Sequence, residues 1–257
     1  MTLSRLLRIY RIETKCEVLK LVRTPVYVFT TLLFPLIFYV FFGLAMGRST
    51  SAGAFPIARY LLATYGTFGV VAASLYGFGI GLAVERGMGW LEIKQASPAP
   101  PVAHLAAKTT ACLLLSAGVI VLLFALGAIA GGVRIPAAQW LLLAGSLTLG
   151  AAPFCAMGLA IGYFAGPKSA PAIVNLIYMP MAFCSGLWIP IDFLPRALQQ
   201  GAVALPTYHL AQIGLAILNG PVRGAVAGHV GALVGFTLLF VGIAWLGHRR
   251  EQERIYG

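Results

Sequence analysis

The chain has 257 residues, of which 60% are hydrophobic and only 10% are charged. Soluble domains carry about 45–50% apolar and about 25% charged residues, so this composition excludes an ordinary soluble domain and predicts an all-α integral membrane protein. The net charge of +11 could suggest nucleic-acid binding, but the basic residues follow a membrane-topology pattern and we expect no nucleic-acid partner. The four cysteines stand singly, so neither a disulfide framework nor a metal site is predicted.

The N-terminal segment, residues 1–25, is predicted to carry an interfacial helix on the inner membrane surface. Its apolar residues gather on one side at about 100° per residue, and its basic residues lie on another side, where they can meet lipid headgroups. These are Leu3, Leu6, Leu7, Tyr10 and Leu21 against Arg5, Arg8, Arg11 and Lys15. Glu13 and Glu17 interrupt the apolar side, and an ordinary basic tail is the alternative. Thr24 and Pro25 are expected to break the helix.

Six apolar stretches follow that are long enough to cross a bilayer, since a spanning helix needs about 20 residues. They are residues 26–46, 59–84, 103–130, 137–165, 171–189 and 225–247. We therefore predict one transmembrane domain over residues 1–257, with six transmembrane helices. With both termini in the cytoplasm, 13 of the 18 Lys and Arg residues lie inside, which fits the positive-inside rule. Pro153 predicts a kink in the fourth stretch.

All seven acidic residues lie outside these stretches. Proton- and sodium-driven carriers usually place carboxylates inside their helices, so we expect a different energy source. Residues 166–169, Gly-Pro-Lys-Ser, lack the G-x-x-x-x-G-K-[ST] spacing of a phosphate-binding loop. The sequence therefore predicts no nucleotide site and no cofactor in this chain.

The inner loop between the second and third stretches, residues 85–98, combines charges with apolar bulk. Trp90, Leu91 and Ile93 belong to a short predicted helix that Ser97 and Pro98 end. Apolar residues beside charges suit docking into a groove of another protein. A generic surface loop fits the same residues.

The outer segment between the fifth and sixth stretches, residues 190–224, contains an apolar run at Thr207–Leu218. About a dozen residues are too few to span a bilayer, so we predict a re-entrant segment. Backbone at that depth must be buried in protein or line a cavity. The segment is therefore a candidate outer gate.

The inner loop resembles that of membrane subunits of ATP-binding-cassette transporters of the type-2 permease family, which read E-R-E-x-G-T-L-E-x-L-x-A-[ST]-P. The matching residues are Glu85, Arg86, Gly89, Leu91, Glu92, Ala96, Ser97 and Pro98. Gly87, Trp90 and Lys94 depart from the pattern. Two other regions are similar to the family. They comprise Arg23, Thr24, Pro25, Phe34, Pro35 and Gly43 at the first stretch, and Ser185, Gly186, Pro190, Leu194, Pro195, Leu198, Pro206 and Tyr208 on the outer side.

The resemblance implies an exporter in a bacterial inner membrane. Two permease copies, either a homodimer or a pair with a close paralogue, would bind two cytoplasmic ATPase subunits that hold the ATP and Mg²⁺. Residues 85–98 would form the coupling helix. The docking residues implied are Glu85, Arg86, Gly89, Trp90, Leu91, Glu92, Ser97 and Pro98, and the outer gate would contain Ser185, Gly186, Pro190, Leu194, Pro195, Pro206 and Tyr208.

A membrane-embedded lipid-modifying enzyme is the main alternative, with Asp192 and His209 as an outer acid–base pair. The sequence contains no HExxH or G-x-S-x-G motif, and Asp192 is expected instead to cap the short helix that follows it. A channel or passive anchor is a third possibility, which leaves the inner loop without a purpose.

Overall fold

The computed structural model describes residues 3–46, 51–52, 55–96 and 100–256. Five helical segments in this part of the chain are long and apolar enough to cross a membrane: Pro25–Gly43, Ile57–Gly87, Ala103–Ile129, Ala137–Phe164 and Val226–Glu253. The fold is therefore that of an all-α, multi-pass membrane protein.

The first half of the chain begins with α1 (Leu3–Arg23) and α2 (Pro25–Phe38). Thr24 separates them, and α2 continues to Met46 as a wider π-helix over Tyr39–Met46. A two-residue antiparallel pair, β1 (Ser51–Ala52) and β2 (Phe55–Pro56), precedes α3 (Ile57–Ser74). A second π-helical stretch, Leu75–Ile80, joins α3 to α4 (Gly81–Gly87) without a break.

The middle of the chain contains α5 (Trp90–Ala96), α6 (Pro101–Ile129), α7 (Ala137–Leu149) and α8 (Ala152–Phe164). The break between α7 and α8 falls at Gly150, where a Cβ atom would lie 2.2 Å from the Leu210 side chain. Pro153 lies in the first turn of α8, where a missing N–H removes no helical hydrogen bond. The interruption therefore lies just before the proline.

The last part contains α9 (Ala170–Cys184), α10 (Arg196–Gly201), α11 (Pro206–Ile217) and α12 (Val226–Tyr256). The fifth predicted span corresponds to α9, which has only 15 residues and would extend about 22 Å, less than the roughly 30 Å of a hydrocarbon core. The count of six spans and the re-entrant segment stay predictions.

The core forms around α3, which is buried from Tyr60 to Ser74 on all sides. A helix that is apolar all round belongs in the interior of a bundle, and α2, α6, α9 and α11 surround this one. By contrast, α12 packs on α8 and α11 and exposes much of its length. At one end of the bundle, α1 packs on α6, α5 packs on α4, and α8 packs on α4 and α12. We call this the inner end and the opposite end the outer end, after the predicted topology. The candidate site forms at the inner end.

Candidate functional site at the inner ends of the helices

The turn between α4 and α5 depends on Gly89. Helix α4 closes with hydrogen bonds from the Met88 amide to the Val84 carbonyl at 3.0 Å and from the Gly89 amide to the Arg86 carbonyl at 3.1 Å. Gly89 has φ +73°, a left-handed conformation that is typical of the glycine after a helix end. The chain therefore reverses here and starts α5 as a separate short helix.

Glu85, at the end of α4, points toward α1 and α6. Its Oε1 atom accepts hydrogen bonds from Lys20 Nζ at 2.7 Å and Lys108 Nζ at 2.9 Å. Its Oε2 atom lies 3.4 Å from His104 Nε2. The Glu85 side chain is only 12% exposed, so its carboxylate contacts these partners within the bundle and has little access to solvent.

Helix α1 contributes two more carboxylates to the same place. Lys94 Nζ, on α5, lies 3.0 Å from Glu13 Oε2, and Lys108 Nζ lies 3.4 Å from Glu17 Oε2. The two acids that interrupt the apolar side of α1 therefore face cations of α5 and α6. We call the set the inner charge cluster; it comprises Glu13, Glu17, Lys20, Glu85, Lys94, His104 and Lys108.

His104 lies between the carboxylates of the cluster. Its Nδ1 atom lies 2.6 Å from Lys94 Nζ and 3.3 Å from Glu13 Oε2, and its Nε2 atom lies 3.4 Å from Glu85 Oε2. Around this ring, three carboxylates face three ammonium groups. The imidazole therefore connects α6 to both α1 and α4.

Two groups of the cluster, Glu13 and Lys20, lie outside the membrane-spanning helices and have shifted pKa values. Burial raises the pKa of Glu13, but the Lys94 ammonium and His104 outweigh it, so the net pKa is lowered. Burial lowers the pKa of Lys20, but hydrogen bonds to Glu17 and Glu85 outweigh it, so the net pKa is raised. Both groups are therefore charged at neutral pH.

Glu13, Glu17 and His104 also bring ligand atoms within 4.8 Å of one another, a spacing that can hold a metal ion. The Lys94 ammonium lies among them, 3.0 Å from Glu13, 3.8 Å from Glu17 and 2.6 Å from His104. A bound cation would have to displace this ammonium. The arrangement therefore favours an ion-pair network over a metal centre.

Arg86 points to the opposite side of the bundle. Its Nη1 atom donates to the carbonyls of Gly162, at 2.8 Å, and of Tyr163 in the last turn of α8. Its Nε atom lies 3.4 Å from Glu251 on α12. Carbonyls in the last turn of a helix lack helical partners and favour a cation. Adjacent residues of α4 therefore connect to two different sides of the bundle.

Gly87 lies against the turn between α8 and α9. A Cβ atom at this position would lie 2.6 Å from Cγ of Pro167, closer than Cβ atoms can approach. The close packing explains why a glycine stands here. The two inner turns consequently pack directly on each other.

The exposed face of α5 and of the turn before it is apolar. Met88, Trp90 and Ile93 are exposed by 67%, 51% and 70%, and Glu92 beside them is also exposed. Leu91 is only 8% exposed and packs with Leu82 and Tyr163 of the bundle. Trp90 and Ile93 are three residues apart and share one helix face.

The structure thus divides the predicted docking residues into two groups. Trp90 and Glu92 are exposed on the surface of the inner end. The side chains of Glu85, Arg86 and Leu91 contact the bundle instead, and Gly89 forms the turn. Ser97 and Pro98 lie outside the described residues. Docking itself stays a prediction, and contact through Glu85 or Arg86 would require these side chains to leave their present partners.

Sequence reasoning missed most of the inner charge cluster. Glu13 and Glu17 only interrupt the amphipathic pattern of the N-terminal segment, and no local pattern connects them to His104 and Lys108. Two acids four residues apart lie on one face of a helix. That spacing on an otherwise apolar side was the available signal for a polar partner.

On the outer side, two of the predicted gate residues, Ser185 and Gly186, form hydrogen bonds to neighbouring helices. Gly186 has φ +73°, and its carbonyl accepts a hydrogen bond from the Tyr60 hydroxyl at 3.1 Å. The Ser185 and Thr207 hydroxyls are hydrogen-bonded to each other. These bonds connect the end of α9 to α3 and to α11.

The remaining gate residues build the turns and a small apolar core. Pro190 precedes a 3₁₀ turn at Ile191–Phe193, Pro195 precedes α10, and Pro206 is the first residue of α11. Leu194 and Tyr208 are buried with Ile191 and Ala202. The outer-gate role stays a prediction.

Asp192 and His209 have different partners. Asp192 pairs with Arg223, whereas the two ring nitrogens of His209 contact His229 and the Val203 carbonyl. The capping role expected for Asp192 was wrong, because α10 begins after Pro195 and the carboxylate is directed to Arg223. The acid–base pair required by the enzyme interpretation is not formed.

Comparison with known proteins adds two findings. A family model described as "ABC-2 type transporter" matches residues 10–219, a range that includes the whole inner charge cluster, α5 and most of the outer segment. A Bacillus subtilis (strain 168) protein named "Putative transport permease YvfS" is 26% identical over 243 residues, which cover 95% of this chain and 98% of that protein.

Proposed function

We propose that this chain, which belongs to the ABC-2 type transporter family, is the permease subunit of an exporter powered by separate ATPase subunits. Family membership and the relative's permease name support a transport subunit and not an enzyme. Export, the ATPase partner and the dimer are the proposed part. ATP and Mg²⁺ would bind in the ATPase, and two permease copies, identical or closely paralogous, would assemble in a bacterial inner membrane with both termini in the cytoplasm.

The observation that carries the proposal is the double attachment of the coupling segment, residues 85–98. Glu85 and Lys94 bind it to α1 and α6, and Arg86 binds it to α8 and α12. Buried ion pairs are costly to separate one partner at a time. A displacement of α5 would therefore move both sides of the bundle instead of bending a loose loop.

The exposed face of the same segment supports a protein partner. Met88, Trp90 and Ile93 present apolar surface to the inner side, beside the charge of Glu92. A short helix with apolar anchors suits a groove in a second protein. We assign this groove to the ATPase, so that ATP-driven closure of the ATPase pair pushes on α5.

A cavity between α2, α3 and α9 supports an amphipathic cargo. Its volume is about 350 Å³, and its lining includes Phe34, Phe68, Tyr76, Asn175 and Tyr178. Phe68 and Tyr178 stack with their ring centroids 4.9 Å apart, and Tyr76 is hydrogen-bonded to Asn175. Aromatic faces with a few polar groups are typical of sites for small, mostly apolar molecules.

The test is purification of the tagged chain from its own cells in a gentle detergent, with identification of co-purifying proteins. We expect a stoichiometric P-loop ATPase. The double variant Trp90→Ser/Ile93→Ser should lose it, because the exposed apolar anchors are removed. Ile12→Ser, an exposed apolar residue on α1, is the matched control and should retain it.

Two results would contradict the proposal. One is a chain that arrives alone while another membrane complex in the same preparation stays intact. The other is full retention of the ATPase by the double variant.

A further inference from the structure

His209 and His229 form a buried pair on the outer side of the molecule. Their Nδ1 atoms lie 2.8 Å apart. His209 Nε2 lies 2.8 Å from the Val203 carbonyl oxygen, and His229 Nε2 lies 2.9 Å from the Arg223 carbonyl oxygen. The pair therefore joins α11 to α12 and uses all four ring nitrogens.

The partners determine how many protons the pair must hold. A carbonyl oxygen only accepts hydrogen bonds, so each Nε2 atom must carry a proton. The Nδ1–Nδ1 contact needs one further proton between the two rings. Two neutral imidazoles have only two protons in total, so one of the three contacts would bring lone pairs together.

Adding one proton satisfies all three contacts and gives the pair a charge of +1. Adding a second would place two N–H groups opposite each other at the Nδ1–Nδ1 contact. Both histidines are also in the first turn of their helices, where the helix dipole disfavours positive charge. The geometry thus accommodates three ring protons, neither two nor four.

We propose that His209 and His229 together form a binding site for a single proton, and that this proton links α11 to α12. The site goes beyond the transport function proposed above and does not depend on the ATPase partner. Because it lies in the outer segment, the link responds to pH on the outer side of the proposed topology.

The groups that face the pair do not supply a second charge. The Tyr208 ring lies 5.5 Å from His209 and 5.8 Å from His229, and Phe236 of α12 lies 6.1 Å from His209. The Arg223 side chain turns away to Asp192 and Gln199. The Asp192 carboxylate is thereby paired with a cation and does not neutralise the histidines.

In this proposal the two rings share their protons and therefore gain or lose them in two coupled steps. The pKa of His209 is lowered, chiefly by burial and further by His229, although the Val203 carbonyl opposes this shift. The link is complete between the two steps. Above the upper step the bridging proton is lost, and below the lower step the two imidazolium rings repel each other.

The first test is ¹⁵N NMR of the histidine-labelled full chain in liposomes across a pH series. With four histidines in the chain, single substitutions assign each ring. We expect a through-hydrogen-bond coupling between the two Nδ1 atoms at intermediate pH, which disappears at both ends of the series. Independent titration of the two rings, with no coupling at any pH, would overturn the proposal.

The second test measures hydrogen-exchange protection factors of α11 in the same liposomes. We expect protection to be about fivefold higher at intermediate pH than above the upper step, which corresponds to about one net hydrogen bond. His209→Asn should make protection independent of pH, because an amide can donate to or accept from a neutral His229. His248→Asn, at the inner end of α12, is the control and should keep the wild-type profile; a pH-independent wild-type profile would contradict the link.

Discussion

The inner and outer ends of the molecule are held together by different kinds of contact. At the inner end, charged side chains from α1, α4, α5 and α6 pair with one another. At the outer end, hydroxyl and imidazole groups bind backbone carbonyls such as those of Gly186 and Val203. Inner contacts therefore depend on charge. Apart from the exposed Asp192–Arg223 ion pair, outer contacts depend on backbone conformation and on the protons of hydroxyl and imidazole groups.

This difference suits the proposed roles of the two ends. A network of matched charges can move as one unit, because every member keeps its partners during the movement. Turns built from glycine, proline and carbonyl acceptors hold a fixed shape until a bond breaks. We expect substitutions that alter charge to act at the inner end and substitutions that alter backbone geometry to act at the outer end.

The largest effect is expected for Glu85→Gln. Removing this charge leaves Lys20 and Lys108 without their shared carboxylate in a mostly buried place, and breaking one partner of a buried ion pair costs about 3 kcal/mol or more. The thermal midpoint of the purified chain should fall strongly, and transport should be uncoupled from ATP hydrolysis. Glu92→Gln, which changes an exposed acid on the same segment, is the control. Equal midpoints for the two variants would contradict the inner charge cluster.

A second substitution tests the attachment of the coupling segment to α8 and α12 through Arg86. Arg86→Lys keeps the charge but loses the planar fork that reaches the α8 carbonyls and Glu251 together, and hydrogen bonds of charged groups are worth about 1.5–3 kcal/mol. In a double-mutant cycle, the combined loss of stability for Arg86→Lys with Glu251→Gln should be smaller than the sum of the two single losses. Full additivity of the two substitutions would indicate that Arg86 and Glu251 do not interact.

At the outer end, Gly186→Ala tests backbone geometry. An L-residue at φ +73° is strained by about 1–2 kcal/mol, and its Cβ would lie 2.9 Å from Cβ of Ile191. We expect a lower thermal midpoint whose shift does not change with salt concentration. Gly201→Ala, where a Cβ meets no atom within 4 Å, is the matched control. A shift for Gly186→Ala that is screened by salt would contradict the distinction between the two ends.

The smallest effect concerns the pH dependence of Glu13. Its pKa is lowered from 4.5 in the folded chain, so its ion pair stabilises the fold above pH 4.5 and is lost as the pH falls through the lowered value. The thermal midpoints of wild type and Glu13→Gln should therefore differ at neutral pH and converge in acid. A difference that grows toward acid would show that the carboxylate is not stabilised by Lys94 and His104.

Much of the architecture could be predicted from the sequence, because long apolar segments and the residue pattern at the inner loop are local features. The break between α1 and α2 follows from Pro25, and the family follows from an ordered set of short motifs. The direction of the Glu85 and Arg86 side chains could not be predicted. Neighbouring helical residues point about 100° apart, and their partners, such as Lys20 and Glu251, are distant in the chain.

The sequence also could not predict which side chains of the short helix α5 are buried. Leu91 and Ile93 are both aliphatic and two residues apart, yet one is 8% and the other 70% exposed. Which face of a seven-residue helix meets the bundle depends on the turn at Gly89 and on the close approach of Pro167 to Gly87. The spacing of apolar residues within α5 does not reveal either feature. The exposed face of α5 therefore became visible only in the folded chain.

The most direct test of the central claim is site-specific photo-crosslinking in living cells. A photoreactive amino acid at position 93 or 90 should capture a cytoplasmic P-loop ATPase, because Ile93 and Trp90 face outward. The same probe at position 91 should give little or no such product, because Leu91 faces the bundle. Strong capture of the ATPase from position 93 and not from position 91 is the result expected. Equal capture from both positions, or none from position 93 in an assembled transporter, would contradict the claim that the outward face of α5 is the docking surface.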